Sequence, residues 1–267
     1  MGTPIGNLED ITLRAIRILK EVDLIAAEDT RRTAKLLQHL QISTPQISYN
    51  EHNHNSRVQS LIARLQQGEN MALVTDAGMP SISDPGVELV AAAIAHKITV
   101  IPIPGGTAAI CALAASGLPT ARFTFEGFLP QKASDRQARL EFLRNETKTI
   151  VLYEAPHRMI KTLNDLATAV GSKREIVLAR ELTKIYEEFW RGNIEGAIAM
   201  YTKRQPKGEY TLILKGAAET SLINDHDELK RELRQLLAQG MTRSQASRQL
   251  AKITSLSRRD IYQLDLD

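Results

Sequence analysis

The sequence predicts a protein of two α/β domains followed by a small helical domain. Three observations carry that reading. Short apolar, β-branched runs alternate with amphipathic stretches over the first two hundred residues, the pattern of βαβ units and a largely parallel sheet. The pattern shifts after Gly117-Leu118-Pro119 and again near residues 217–225, which divides the chain into 1–116, 117–218 and 225–267. The final stretch is basic and carries the side-chain signatures of short capped helices.

In the first domain, Asn7 and Asp10 read as an N-cap and its N3 partner, opening a helix that buries Ile11, Ala15, Ile18 and Val22. A strand at Leu24–Ala27 follows, then helices from Thr30 to about Leu40 and from about Ser56 to Gln67, the latter stopped by Gly68. Met71–Thr75 is a short apolar strand, and Val87–His96 a helix. The β-branched run Ile98–Ile103 reads as a strand, and Thr107–Ala115 as a helix with Thr107 as its cap. In the second domain the expected strands are Phe123–Gly127, Thr149–Tyr153, Glu175–Arg180, Glu187–Arg191 and Glu209–Lys215. The expected helices are Arg136–Arg144, Pro156–Val170 and Ile194–Thr202. The tail reads as three helices. The first runs from about Asp227 to Ala238. The second is capped by Thr242 with Gln245 and buries Ala246, Leu250 and Ile253. The third is capped by Ser257 with Asp260.

Composition narrows the function classes. Of 267 residues, 43% are apolar and 24% charged, as in globular proteins. The lone Cys111 excludes an internal disulfide framework and a Cys-rich zinc site, and fits a reducing cytosol. Apolar runs such as Leu89–Ala95 are far below the ~20 residues that span a bilayer. The N-terminus lacks a signal-peptide pattern, so the expected compartment is the cytoplasm. The net charge of +3 says little, but residues 230–259 hold eight Lys/Arg against Glu232 alone. Two short helices with Arg258-Arg259 at the start of the second resemble a helix-turn-helix, and the local charge favours nucleic-acid contact. A small bundle used for packing or dimerisation has the same helical pattern.

No G-x-G, Walker A or G-x-S-x-G motif occurs, so the dinucleotide fingerprint, the usual glycine-rich methyltransferase loop and the hydrolase elbow are absent. His52 and His54 in EHNHN lie two apart, but no third metal ligand is evident and the string reads as a polar loop. Glycine and proline gather instead at predicted strand ends: residues 2–7 (GTPIGN), 76–80 (DAGMP), 83–86 (SDPG) and 104–107 (PGGT). Ligands of open α/β sheets bind beyond the carboxyl ends of strands, where glycine lets backbone amides approach. Ordinary turns use the same residues, yet three such loops at successive strand ends favour a small-molecule site. The strings AEDTRRT (27–33), YEAPHRM (153–159) and ARELTKIYEE (179–188) pair carboxylates with Arg or Lys at strand ends. Such groups position phosphates and handle protons, although structural salt bridges produce similar strings.

Taken together, TPIGNLEDITLRA, DLIAAEDTR, LVTDAGMPSISDPG, IPGG-T-A, SGLP, F-x-GFLP-x-K, YEAPHR and ARELTK resemble the ribosomal RNA small subunit methyltransferase I family, of the tetrapyrrole-methylase-like superfamily. The resemblance covers nearly the whole chain. It implies two α/β domains with a cofactor cleft between them, a homodimer, and S-adenosylmethionine as methyl donor. The implied reaction is 2′-O-methylation of a cytidine ribose in the decoding region of small-subunit (16S) rRNA, on rRNA or an assembled small subunit. It places Gly78, Pro80, Ile82, Ser83, Asp84, Thr107 and Ala108 at the cofactor. Asp29, Arg31, Glu154 and Lys184 become the catalytic candidates, with Asp29 or Glu154 as a base and Lys184 as a cation that lowers the hydroxyl pKa. Lys132, Arg158, Glu181, Arg258 and Arg259 become substrate-binding candidates; His157 reads as structural. No metal is implied. Two departures stand out: only Met1 and Gly2 precede Thr3, where the family has an apolar strand, and Gly105-Gly106 replaces a glycine-proline. The first predicts an unfilled strand slot and the second a looser loop. A tetrapyrrole methyltransferase would share the cofactor loops but has no use for a basic tail, and a non-catalytic RNA-binding protein would bind no cofactor.

Overall fold

The computed structural model describes residues 1–218, 226–251, 254 and 256–264. The chain forms two compact units, Met1–Lys215 and Gly216–Asp267.

The first unit holds two sheets. Strands β1 (Leu24–Ala27), β2 (Gln46–Ser48) and β3 (Met71–Val74) form a parallel sheet in the order β2-β1-β3. The all-apolar β1 is buried along its length because helices cover both faces. Ile25 and Ala27 pack with Leu19 of α1 (Leu13–Glu21) and Leu37 of α2 (Thr30–His39). Leu24 and Ala26 pack with Leu61 of α3 (His54–Gln66) and Leu89 of α4 (Val87–Ala95).

The second sheet contains β4 (Phe123–Phe128), β5 (Thr149–Glu154), β6 (Glu175–Arg180), β7 (Glu188–Asn193) and β8 (Tyr210–Leu214), ordered β4-β5-β8-β6-β7. On one face α5 (Ala108–Ser116) packs Ala109, Ala112 and Leu113 against Val151, Val177 and Ile213. This helix precedes Gly117 in the chain and still lies on the second sheet. The other face carries α6 (Ala133–Arg144), α7 (Met159–Val170) and α8 (Ile194–Lys203) over Ile150, Leu152, Ile176, Leu178 and Leu212.

Several expectations need correction. The second sheet is mixed: β4 and β5 are its parallel-paired neighbours, and β8 is antiparallel to both β5 and β6. A seven-residue connection turns β6 back into β7 as an antiparallel pair, and alternation of strands and helices does not encode such a reversal. Ile98–Ile103 forms no ladder, and Val100 and Ile101 are exposed. Met1–Thr3 lies between that segment and β3: the Met1 ammonium donates to the Leu73 carbonyl (2.9 Å) and the Gly2 N–H to that of Ile103 (2.9 Å). Burial lowers the Met1 amine to a pKa of about 6. Asn7 caps only a 3₁₀ turn, Leu8–Asp10; Thr12 caps α1 by accepting from the Ala15 N–H, and Ala15 and Leu19 are the buried residues. The three-residue β2 is not among the strands expected from the sequence, and residues 156–170 begin with a 3₁₀ turn before α7.

In the second unit, α9 (His226–Ala238), α10 (Arg243–Leu250) and α11 (Arg258–Tyr262) enclose Leu229, Leu233, Ala246, Leu250 and Ile261. Both capping boxes form, Thr242 with Gln245 and Ser257 with Asp260. Ile253 lies outside the described residues. Among the described residues no helix is long and apolar enough to cross a membrane.

Candidate active site

Loops from the carboxyl ends of both sheets meet around a cavity of about 350 Å³, within the usual size range of small-molecule sites. The loop after β3 supplies Ala77–Met79 and Ile82–Asp84, and the entry to α5 supplies Thr107 and Ala108. The ends of β4 and β5 bring Phe128 and Tyr153–Pro156. Because β8 runs antiparallel, its first residues reach the same edge: Tyr210 pairs with Glu154 and with Arg180. Glu209, Tyr210 and Thr211 therefore join the wall.

Backbone geometry fixes these loops. Gly78, at φ +85°, exchanges two hydrogen bonds with Thr3 (2.9 and 3.1 Å), which stitches the TPIGN string to the DAGMP loop. Gly6 packs against the loop after β6, where an added Cβ would sit 2.5 Å from the Lys184 Cγ and 2.9 Å from the Leu182 carbonyl. Ser81 and Ser83 hold left-handed conformations (φ +70° and +63°). Strain of this kind persists where the surroundings over-determine the loop. Gly105 abuts Gly2, with 2.8 Å between a hypothetical Cβ and the Gly2 Cα, so contact restrains the loop expected to be loose.

Charge in the cavity is uneven. Burial, then the neighbouring Glu28 and Asp76 charges, push the Asp84 carboxyl from 3.8 to about 7. Burial also raises Glu28, whose carboxylate accepts the Asp76 N–H at 3.1 Å. The aromatic wall is ordered by ring contacts of Tyr153 with Phe125 (5.1 Å) and Phe128 (5.7 Å). The Tyr153 hydroxyl accepts the Ala109 N–H at 3.2 Å, taking up a donor at the start of α5. Thr107 occupies the cap position but makes no side-chain cap bond, contrary to the sequence expectation.

Of the residues expected at a cofactor, Gly78, Ile82, Ser83, Asp84, Thr107 and Ala108 line the cavity, and Pro80 does not. Glu154 lines it but is 2% exposed, with both oxygens engaged. Oε1 accepts from the Ala155 N–H (2.7 Å) and Arg158 Nε (3.0 Å), and Oε2 from the Thr162 hydroxyl (2.5 Å). This geometry suits positioning Arg158, whose guanidinium lies 5.4 Å from the Phe128 ring centre, better than taking a proton. Asp29 caps α2 through the Arg31 N–H and holds the Arg31 guanidinium with both oxygens (3.0 and 2.7 Å). That pairing drives its pKa far below the usual carboxylate range and makes it a poor base.

Lys184 sits between Glu181 and Glu209, 2.9 Å from each. Burial disfavours its charge, but hydrogen bonds to Glu209 and Glu181 outweigh that and raise its pKa. Asp29, Arg31, Lys132, Arg158, Glu181 and Lys184 all lie outside the cavity wall, although Glu209 links Lys184 to it. Lys132 is an exposed partner of Asp135. Arg258 and Arg259 are exposed in the second unit, and Arg258 donates to the Ser244 hydroxyl (2.7 Å). The sequence reading missed Phe128, Tyr153, Leu182 and Tyr210. The first two were visible as aromatics within the GFLP and YEAPHR strings; the entry of Tyr210 depends on strand direction.

The family described as Tetrapyrrole (Corrin/Porphyrin) Methylases matches residues 1–198. A Synechocystis protein named "Ribosomal RNA small subunit methyltransferase I" is 58% identical over all of this chain and 96% of its own length. A Halalkalibacterium halodurans protein of the same name is 47% identical over 99% of this chain and 92% of its own length. A Thermotoga maritima namesake, also 47% identical, matches 81% of this chain and 96% of itself. Among solved structures, uroporphyrin-III C-methyltransferase from Thermus thermophilus, complexed with S-adenosylhomocysteine, shares the fold. Its TM-score is 0.55 at 20% identity, over 79% of this chain and 94% of that one. A cobalt precorrin-4 methyltransferase gives 0.60 at 17% identity, over 80% of this chain and 92% of that one.

Proposed function

The chain belongs to the tetrapyrrole (corrin/porphyrin) methylase family and, within it, to the ribosomal RNA small subunit methyltransferase I proteins; on that premise we propose that it performs S-adenosylmethionine-dependent 2′-O-methylation of a cytidine ribose in the decoding region of small-subunit rRNA. The observation that carries the reading is the cavity built from the family's own strings, with Asp84 in its wall.

S-adenosylmethionine, when bound, supplies an electrophilic methyl group on a positively charged sulfur. The residues present fit it. Gly78 and the Ala77 backbone allow close approach, Ile82, Tyr153 and Phe128 give an apolar wall, and Ser83, Asp84 and Thr107 add polar groups. Burial and the nearby Glu28 and Asp76 charges push the Asp84 carboxyl up to about 7. It is the better acceptor for the ribose hydroxyl proton than Asp29, which is locked to Arg31, or Glu154, which is fully bonded. Arg31, with an 87% exposed side chain, and Arg158 are the cations that would orient the RNA backbone. The loops keep the reacting groups in one geometry, which supplies the entropic part of the acceleration. The proposal extends to a homodimer acting in the cytoplasm on rRNA or an assembled small subunit.

The test is ribose-methylation mapping of small-subunit rRNA from cells lacking this protein, beside cells carrying it. The expected result is loss of one 2′-O-methylcytidine in the decoding region and its return on complementation. An unchanged map, with methyl transfer to a tetrapyrrole by the purified protein, would sink the proposal. Light scattering at a mass other than twice that of one chain would remove the homodimer.

A further inference from the structure

We propose that a second cavity, beside the first, holds a sugar–phosphate unit of the RNA strand that carries the methylated nucleotide. The inference rests on the RNA reading above and adds a subsite to it. The cavity measures about 180 Å³ and its wall includes Thr3, Pro4, Thr75 and Asp76, the chain neighbours of Ile5, Ala77 and Gly78 in the first cavity.

Its chemistry is specific. Thr75 is 2% exposed, and its hydroxyl has no hydrogen-bond partner among the described residues. Asp76 Oδ1 is likewise enclosed and unpartnered, while Oδ2 lies 3.4 Å from Arg32. Buried polar atoms without partners are rare in a folded protein unless something fills the gap. Arg32 and Lys35 stand three residues apart on α2 and line the same cavity. Pro4, Leu8 and Leu36 form the apolar part of the wall. An anionic oxygen satisfies the Thr75 hydroxyl and the two cations, and a hydroxyl satisfies Asp76. A ribose phosphate presents both groups together, and the 2′-hydroxyl is what distinguishes RNA from DNA at such a contact.

The experiment measures binding of a short fluorescein-labelled single-stranded oligoribonucleotide containing cytidine, and of its deoxy counterpart, by fluorescence anisotropy across a salt series. Wild-type protein is compared with Lys35→Gln, Thr75→Val and Asp76→Asn, and calorimetry with S-adenosylmethionine runs beside it. Lys35→Gln is expected to weaken RNA binding about three- to tenfold and to lower the salt slope by about 0.7. Thr75→Val weakens it by a similar factor, and Asp76→Asn narrows the preference for RNA over DNA. Wild-type RNA affinity in both Lys35→Gln and Thr75→Val overturns the subsite while leaving the methylation reading intact. Equal losses of RNA and S-adenosylmethionine affinity in those variants also overturn it, because the effect is then a general disturbance of the loop. A wild-type protein that neither binds nor methylates RNA overturns the subsite and the methylation reading together.

Discussion

At the scale of single residues, Asp84 combines a place in the cavity wall with a shifted proton affinity. Its folded pKa of about 7 lies above the ordinary 3.8, so the folded state holds the extra proton between those values. The stability this provides is complete below about pH 4 and is lost as pH rises through 7. Asp84→Asn removes the term, so the variant is expected to gain thermal stability relative to wild type at pH 8 more than at pH 5, which paired melting curves check. A cationic ligand in the same cavity favours the ionised carboxylate. S-adenosylmethionine affinity is therefore expected to strengthen as pH rises through 7 in wild type and to stay flat in Asp84→Asn. S-adenosylhomocysteine, which lacks the sulfonium charge, gives the calorimetric control. Arg31 is different, because its charge is held by Asp29 on one side and is otherwise open to solvent. Arg31→Ala is expected to lower kcat/KM for rRNA about tenfold with little change in cofactor affinity. Unchanged methylation of ribosomal subunits would show the assignment of Arg31 to be wrong.

At the scale of elements, α5 decides how the cavity loops meet the second sheet. Its AAICALAAS sequence is short-chained on the face that touches β5, β6 and β8, and Ala112 is fully buried there. Small residues let the helix axis approach the strands, and larger ones force it away. Ala112→Leu is expected to cost about 1–3 kcal/mol in denaturant unfolding, and to weaken cofactor binding because Thr107 and Ala108 ride on the same helix. Arg191 anchors the other end by donating to the Ala115 and Ser116 carbonyls (2.6 and 3.2 Å), a favourable place for a cation. The helices and most strands were legible from apolar periodicity and caps, as Thr242–Gln245 and Ser257–Asp260 illustrate. Ile98–Ile103 was not, because a β-branched run becomes a strand only where a neighbour supplies a ladder.

At the scale of the whole molecule, the tail is where basic residues are locally in excess, eight Lys/Arg against Glu232 over residues 230–259. Arg258 and Arg259 are exposed at the first turn of α11. If each meets one phosphate of single-stranded RNA, replacing both by Gln lowers the salt slope of RNA binding by about 1.4 and leaves S-adenosylmethionine affinity unchanged. A slope equal to that of wild type would assign the tail to packing alone. The α/β character, the capped helical tail, the glycine loops at strand ends and the family follow from the order of the residues alone. Those features depend on local periodicity, on φ preferences and on strings of neighbouring residues. Other features emerge only once the chain is folded: β8 runs antiparallel and brings Tyr210 to the cavity, α5 lies on the second sheet, and neighbours in space engage some carboxylates and not others. Asp29 and Glu154 look alike in sequence, yet one is neutralised by Arg31 and the other is enclosed by Thr162 and Arg158, while Asp84 stands beside two like charges. Proton affinity is set by what surrounds a carboxylate in three dimensions, and most of those neighbours are remote in the chain.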